Sequence, residues 1–191
     1  MDKKPRIGFA LCGSFCTFAS VIAEMERMAG DGYEIYPILS EHAAQTDTRF
    51  GAAADFRDRI EEICGRPAIT TMTQAETLGP GKCIDAIVVA PCTGSTLGKL
   101  AGGIADTTVT FAVKGCLRNE RPVILALSTN DALAGSAANI GVLLARRGYY
   151  FVPFGQDDPQ AKPRSAIADV RLIPQTVEAA LEGRQIQPIL L

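Results

Sequence analysis

The sequence predicts an α/β fold of three layers, in which helices cover both faces of a doubly wound parallel sheet. About five short apolar runs, rich in β-branched residues, alternate with stretches whose apolar residues recur at helical spacing. Strands that alternate with helices favour a parallel sheet with right-handed crossovers. The chain has 191 residues, enough for one such core, so residues 1–191 are predicted to form a single domain.

The first half of the chain alternates strands and helices. Residues 6–11 predict the first strand, and residues 15–29 a helix that Ser14 is placed to cap. Residues 33–39 predict the second strand, followed by a polar loop over residues 41–49. The next helix has Phe56, Ile60 and Ile63 on its inner face. A turn is predicted at residues 79–81, which read Gly-Pro-Gly.

The second half is organised around residues 87–106. Residues 87–90 predict a strand buried on both faces, which Pro91 is expected to end because proline has no backbone donor. Leu97, Leu100 and Ile104 recur at helical spacing, and Asp106 is the predicted cap of a helix over residues 107–117. Two further strands are predicted at residues 122–127 and 149–154, then a loop at 155–163 and a last helix at 175–181.

Small, polar turns follow four of the predicted strands, at residues 13–14, 40, 91–96 and 128–130. In a doubly wound sheet, ligands bind beyond the carboxyl ends of the strands, so these turns are expected to lie on one edge. Free N–H groups at helix N-termini, together with hydroxyl groups, favour a phosphate. The plainer interpretation is helix capping. No G-x-G-x-x-G dinucleotide fingerprint is present.

Composition excludes several classes of function. A net charge of -2 provides no basic field for nucleic acid or anionic lipid. No apolar run approaches the 18 or so residues of a membrane span, and no signal sequence is evident, so a cytoplasmic protein is expected. The six cysteines form no C-x-x-C pair and stand far from the one histidine, so no metal site is predicted. They are expected to be small buried residues: Cys12, Cys16, Cys64, Cys83, Cys92 and Cys116.

Four residues are weak catalytic candidates. His42 is the only histidine, the residue type most often used for general acid–base chemistry, although an exposed or capping role is the simpler interpretation. Arg49 is suited to pairing with a carboxylate, and Asp157 and Asp158 to binding a cation or a substrate amine. Such residues are more often surface charges. Small residues at 98–103 and 135–141 allow close helix approach and predict a homo-oligomer.

At the polar turns the sequence resembles the flavoprotein family of flavin-containing cysteine decarboxylases. The family's Gly-Ser turn is matched by residues 13–14, and its Pro-Ala-Ser-Ala-Asn-Thr motif loosely by residues 91–96, before a family-like KLAGGIAD. Its Pro-Ala-Met-Asn motif survives only as Asn130. The resemblance implies a Rossmann-like flavoprotein fold, assembly around trimers, and FMN with its phosphate on the Gly-Ser turn. The cofactor-binding residues it implies, with the other polar turns, are Gly13, Ser14, Phe15, Ser40, Pro91, Cys92, Thr93, Gly94, Ser95, Thr96, Ser128, Thr129 and Asn130.

A further resemblance covers almost the whole chain. STNDAL at residues 128–133 and VPFGQDDP at residues 152–159 are unusual strings, and with TRFG at 48–51 they are similar to the family of dipicolinate synthase B subunits from spore-forming bacteria. That resemblance implies the oxidation of dihydrodipicolinate to dipicolinate, a small dicarboxylate, during sporulation. It also implies a dinucleotide-binding A subunit of dipicolinate synthase that carries NAD(P), and this chain alone is predicted to be inactive. Residues 151–159, aromatic at one end and acidic at the other, are predicted to be an exposed partner contact or lid.

Departures from the decarboxylase pattern leave alternatives open. Residues 78–84 lack the family's catalytic histidine, residues 155–159 lack its loop cysteine, and Ser95 replaces the motif asparagine. A flavin-dependent decarboxylase or prenyltransferase of the same fold is therefore disfavoured but remains an alternative. A non-catalytic partner subunit with a vestigial pocket is the other.

Overall fold

A computed structural model describes residues 4–78 and 83–191, so the predicted turn at residues 79–81 lies outside the described residues. The strands are β1 (Arg6–Leu11), β2 (Glu34–Leu39), β3 (Ala86–Cys92), β4 (Val123–Thr129), β5 (Tyr149–Phe151), β6 (Phe154–Gly155) and β7 (Ala166–Ala168). The α-helices are α1 (Phe18–Gly30), α2 (Glu41–Gln45), α3 (Ala53–Cys64), α4 (Met72–Glu76), α5 (Gly94–Gly102), α6 (Thr108–Arg118), α7 (Ala137–Leu144) and α8 (Ile173–Leu181). Short 3-10 turns occupy Phe15–Thr17 and Val170–Leu172.

The seven strands form one sheet in the order β2-β1-β3-β4-β7-β6, with β5 also paired to β4. Strands β1 to β5 are parallel, which confirms the predicted class of fold. The start of β4 pairs with β5, and its last two residues, Ser128 and Thr129, pair antiparallel with β7. This antiparallel extension was not expected, because strands of two or three residues carry no readable periodicity.

Strand β3 lies at the centre of the core and is buried over its whole length. The prediction that Pro91 ends it is wrong, since β3 continues to Cys92. The ladder to β4 is irregular between Val89 and Cys92, and there a residue without a backbone donor is tolerated. The Pro91 carbonyl instead accepts the Cys12 amide at 3.3 Å.

Local hydrogen bonds correct three of the predicted boundaries. The predicted loop at residues 41–49 begins with α2, because Ser40 Oγ accepts the Ala43 amide at 3.2 Å and caps a short helix. Asp106 does not cap α6, since its carboxylate is drawn to Lys99 Nζ at 2.6 Å and Thr107 forms a capping box at that position. Ser14 does not cap α1, because the 3-10 turn intervenes.

The aromatic end of residues 151–159 is buried, so the prediction of an exposed aromatic contact there is wrong. Phe151 and Val152 are fully buried and Phe154 is 6% exposed, because pairing of β5 and β6 draws them into the core. Cysteines 12, 92 and 116 are buried as predicted, whereas Cys16 is exposed. Within residues 4–78 and 83–191 there is no helix able to cross a membrane and no cluster of three or more metal-binding side chains.

Candidate functional site

The polar turns lie at the carboxyl edge of the parallel strands. Leu11 at the end of β1 is level with Leu39 at the end of β2, and Cys92 at the end of β3 is level with Leu127 in β4. The segments that follow these strands therefore emerge side by side, as the topology requires.

Between three of these turns lies a cleft of about 380 Å³, within the range of small-molecule sites. Its walls come from the ends of β1, β2 and β3 and from the residues around α5. They are Cys12, Gly13, Phe15, Ser40, Glu41, His42, Thr93, Ser95, Thr96, Lys99 and Thr107.

The start of α5 supplies hydrogen-bond donors to the cleft. Thr93 is the N-cap, and its Oγ1 accepts the Thr96 amide at 3.3 Å. Thr96 Oγ1 in turn donates to Cys12 Sγ at 3.2 Å, which joins the first turn of α5 to the residue that follows β1. The amides of Gly94 and Ser95 are in the first turn of the helix, where no carbonyl is available one turn back. The site thus has the helix N-terminus and hydroxyl groups that an anion requires.

The opposite wall of the cleft is held by a polar contact that the sequence did not reveal. Glu41 Oε1 accepts the Thr108 amide at 2.9 Å and the Thr108 hydroxyl at 2.8 Å, which fixes α2 against the start of α6. Four cleft residues were missed from the sequence: Cys12, Glu41, Lys99 and Thr107. The sequence marked these residues as part of the site only by their closeness to the predicted polar turns.

Ser14 joins the first and fourth turns. Its Oγ lies 2.9 Å from Ser128 Oγ, so the two hydroxyl groups share a hydrogen bond at the edge of the sheet. Phe15 follows and lines the cleft, with its ring 5.0 Å from that of Phe18. A Cβ added at Gly13 would make ordinary van der Waals contacts, at 3.5 Å to the Phe15 ring and 3.6 Å to the His42 Cβ.

Residues 129–136 fold over Gly94 instead of lining the cleft. The hydroxyls of Thr129 and Ser136 donate to Asp131 Oδ1 at 2.6 and 2.8 Å, and these bonds lower the pKa of Asp131. A Cβ on Gly94 would meet this group of side chains at 2.6–2.8 Å. Asn130 is exposed. The predicted Thr129 and Asn130 are therefore beside the site, and neither forms its wall.

The two buried cysteines at the site are not activated. Burial raises the pKa of Cys12 to about 11, and burial raises the pKa of Cys92 well above its ordinary value. A thiol in that state is a poor nucleophile at neutral pH. They contribute packing beneath the cleft.

The four catalytic candidates are in different surroundings. His42 lines the cleft in the first turn of α2. Arg49 is exposed, with its guanidinium 4.9 Å from the centre of the Phe50 ring. Asp157 pairs with Lys162 at 2.9 Å, and Asp158 Oδ1 accepts the amide of residue 161. Of the four, His42 is the one that lines the cleft in the described part of the chain.

Comparison with known proteins agrees with this architecture. A family model described as Flavoprotein matches residues 1–169, and the chain belongs to that family. The chain is 43% identical to the B subunit of dipicolinate synthase from Bacillus subtilis (strain 168), over 99% of this chain and 94% of the relative. Within the flavoprotein family it groups with the dipicolinate synthase B subunits.

Solved structures agree with this grouping. The crystal structure of the dipicolinate synthase B subunit from Bacillus halodurans C is 40% identical, with a TM-score of 0.91 over 100% of this chain and 98% of that one. The FMN-dependent cysteine decarboxylase SpaF is 22% identical, with a TM-score of 0.69 over 95% and 98% of the two chains. The second likeness shows the fold alone.

Proposed function

We propose that the cleft binds FMN and that the chain acts in the cytoplasm, during sporulation, as the B subunit of a dipicolinate synthase. The observation that carries this proposal is the convergence of Gly13, Ser40, Thr93 and Ser95 around one cleft at the start of α5. Hydroxyls and free amides at a helix N-terminus suit the phosphate of FMN, and the Phe15 ring offers an apolar wall for its aromatic part. The residues present therefore fit the cofactor.

The side chains of the cleft also fit an acidic substrate. Bound FMN would supply a hydride acceptor. Oxidation of dihydrodipicolinate to dipicolinate removes one hydride and one proton, and the His42 imidazole, which lines the cleft, is our candidate for the general base that takes the proton. Lys99, although paired with Asp106, provides a cation for a substrate carboxylate. NAD(P) carried by the A subunit would be the final electron acceptor.

A decarboxylase of the same fold is the less favoured function. The region before β3 has no histidine, and residues 155–159 have no cysteine, so the residues that resemblance assigns to decarboxylation are missing. We also expect a homo-oligomer based on trimers. Part of the small-residue surface is used inside the chain, because Gly98 of α5 lies against Asn139 of α7.

Titration with FMN tests the cofactor proposal. The quenching of flavin fluorescence is followed for the wild type, Ser14→Ala and Ser20→Ala. Ser14 stands between the cleft residues Gly13 and Phe15, and its hydroxyl bonds to Ser128 Oγ at 2.9 Å. We propose that this hydroxyl turns to the phosphate when FMN binds, a bond worth about 1.5–3 kcal/mol, so that Ser14→Ala raises the Kd about 10- to 150-fold. Ser20→Ala is the matched control, since its hydroxyl bonds to the Thr17 carbonyl at 2.9 Å. The absence of FMN binding by the wild type at millimolar concentration would contradict the proposal.

The reaction is tested separately with NAD(P)-dependent oxidation of dihydrodipicolinate. Each of the two subunits is assayed by itself, and then both are mixed. We expect turnover only, or mainly, in the mixture. Full turnover by this chain alone, or a rate of the A subunit that does not change when this chain is added, would contradict the proposed role.

A further inference from the structure

A second concave surface lies between α5, α6, the segment after α7, β5 and the end of α8, and none of its residues lines the cleft. It consists of two adjoining cavities of about 590 and 420 Å³, which share Leu117 and Arg147. Their walls carry five cations, and we call this surface the basic groove. The five are Lys114, Arg118, Arg121, Arg146 and Arg147.

The cations of the basic groove form no ion pairs, which among the described residues is also true of Arg49 and Arg164, and Asp85 is an acid whose charge interacts with that of Arg121. Among residues 4–78 and 83–191, none of the five has a carboxylate oxygen within 4.0 Å. Arg27, Arg59 and Arg171 each pair with a carboxylate at 3.1 Å or less. Of the described residues in the walls, Glu120 is the single acid. In a chain of net charge -2, this is a local excess of positive charge.

Two arginines of the groove, Arg146 and Arg121, differ in how their guanidinium groups are bonded. Arg146 is held in place, because its guanidinium donates to the Leu100 and Ala101 carbonyls at 3.1 and 2.6 Å. Arg121 Nη1 is buried and has no hydrogen-bond partner in the described part of the chain. A buried donor without a partner is uncommon in folded proteins, so the Arg121 guanidinium keeps unused hydrogen-bonding capacity at the wall of the groove.

The floor of the groove is apolar. Leu100, Val113 and Leu117 line the larger cavity, and Ile104 beside them is half-exposed. Tyr149 also lines it, and burial raises the pKa of this phenol, so it stays neutral and leaves the positive charge intact. Exposed apolar surface rimmed by charge is typical of protein interfaces.

We propose that the basic groove binds an acidic segment of the A subunit, with an apolar side chain of that segment against Ile104 and Leu117. This inference rests on the proposed function, which supplies the partner. Two adjoining cavities fit an extended segment better than a compact small molecule, and carboxylates on the segment would pair with the cations of the groove. Residues 103–107 separate the groove from the cleft: Ile104 and Ala105 line the groove, whereas Thr107 lines the cleft. The A subunit would therefore bind beside the flavin site and leave its entrance open.

Replacing arginines of the basic groove by glutamate tests whether the groove binds the A subunit. Binding of the purified cognate A subunit is measured by biolayer interferometry for the wild type, Arg118→Glu/Arg147→Glu and Ile104→Gln. The double variant should raise the Kd by about tenfold or more, Ile104→Gln should also weaken binding, and added salt should weaken the wild-type complex. Both altered arginines are exposed, and the thermal unfolding curve checks that each variant folds. Arg57→Glu on α3 is the matched control, since the Arg57 side chain is 40% exposed and lies 3.6 Å from Asp58.

The outcomes separate this inference from the proposed function. If wild type and double variant bind the A subunit equally, the groove assignment is overturned and the proposed function stands. If the wild type does not bind the A subunit at all, the partner claim of the proposed function fails and the groove assignment fails with it. If light scattering shows that the double variant instead breaks up a homo-oligomer of this chain, the groove is a self-interface and the inference is overturned.

Discussion

Gly94 is the position where one methyl group has the largest expected effect on the site. It is the first residue of α5, and residues 129–136 fold directly over it. In Gly94→Ala, the new Cβ would lie 2.6 Å from Thr129 Oγ1 and 2.8 Å from both Asp131 Oδ1 and Ser136 Oγ. These are the atoms of one hydrogen-bonded group, so the turn must shift and its bonds must lengthen.

The size of the effect follows from three contributions. Overpacking by one methyl group costs about 1–3 kcal/mol. The loss of one hydrogen bond to the exposed Asp131 carboxylate costs about 1 kcal/mol. Replacing glycine by alanine in a helix stabilises the helix by up to about 1 kcal/mol, which offsets part of this cost. We therefore expect Gly94→Ala to lower the free energy of unfolding by about 1–4 kcal/mol.

Urea denaturation followed by circular dichroism measures this change, with Gly102→Ala as the matched control. Gly102 is the last residue of the same helix, and an added Cβ would meet only Ile104, at an ordinary 3.5 Å. The control should be neutral or slightly stabilising. Combining Gly94→Ala with Asp131→Ala should recover part of the loss, since it removes one crowded side chain. A Gly94→Ala protein as stable as the wild type would refute the reasoning.

Three other predictions concern the cleft walls and the opposite edge of the sheet. Glu41→Ala should lower the free energy of unfolding by about 1–3 kcal/mol, measured in urea, because it leaves the buried donors at the start of α6 without this acceptor. Hydrogen bonds from Arg6 hold the pKa of Asp85 below its ordinary value, so this stabilisation is present above about pH 4 and is lost as pH falls through the lowered pKa. Asp85→Asn should therefore be less stable than the wild type at neutral pH, and the two should converge in strong acid. Iodoacetamide at mildly alkaline pH should modify exposed Cys16 and leave Cys12 intact by mass spectrometry, because burial raises the pKa of Cys12 to about 11.

Each of these has a clear contrary result. Equal stability of Glu41→Ala and the exposed control Glu62→Gln would show that the contact to α6 contributes nothing. A constant difference between Asp85→Asn and the wild type down to strong acid would mean that the Asp85 charge is not the source of the stabilisation. Alkylation of Cys12 at the rate of Cys16 in the folded protein would show that the floor of the cleft opens.

Much of the fold could be predicted because strands buried on both faces are short, apolar and flanked by polar turns. The bounds of β1 were predicted to the residue, and those of β2 and β4 to within one or two residues. The caps were predicted less well. Asp and Thr are both favourable N-cap residue types, so the sequence alone does not decide whether Asp106 or Thr107 caps α6. Thr107 caps it because Lys99, in the preceding helix, binds the Asp106 carboxylate.

The walls of the cleft could be predicted only in part, because several of its contacts join distant residues. The Ser14–Ser128 bond spans 114 positions, and the Glu41–Thr108 contact spans 67. No local sequence pattern predicts contacts between residues so far apart in the chain. The sequence also could not show that residues 129–136 turn onto Gly94 and leave the cleft to the first three strands.

Strand β4 has consequences for the order in which the protein is made. Its first half is joined by β5 and its last two residues by β7, which follows much later in the chain. During synthesis, β1 to β4 leave the ribosome before β7 does, and the end of β4 remains an open sheet edge for that time. Ser128, the partner of Ser14, is at this open end. The sheet edge that carries the polar turns is therefore the last part of the sheet to be completed during synthesis. Until β7 has been made, the open end of β4 can pair with a strand of another chain.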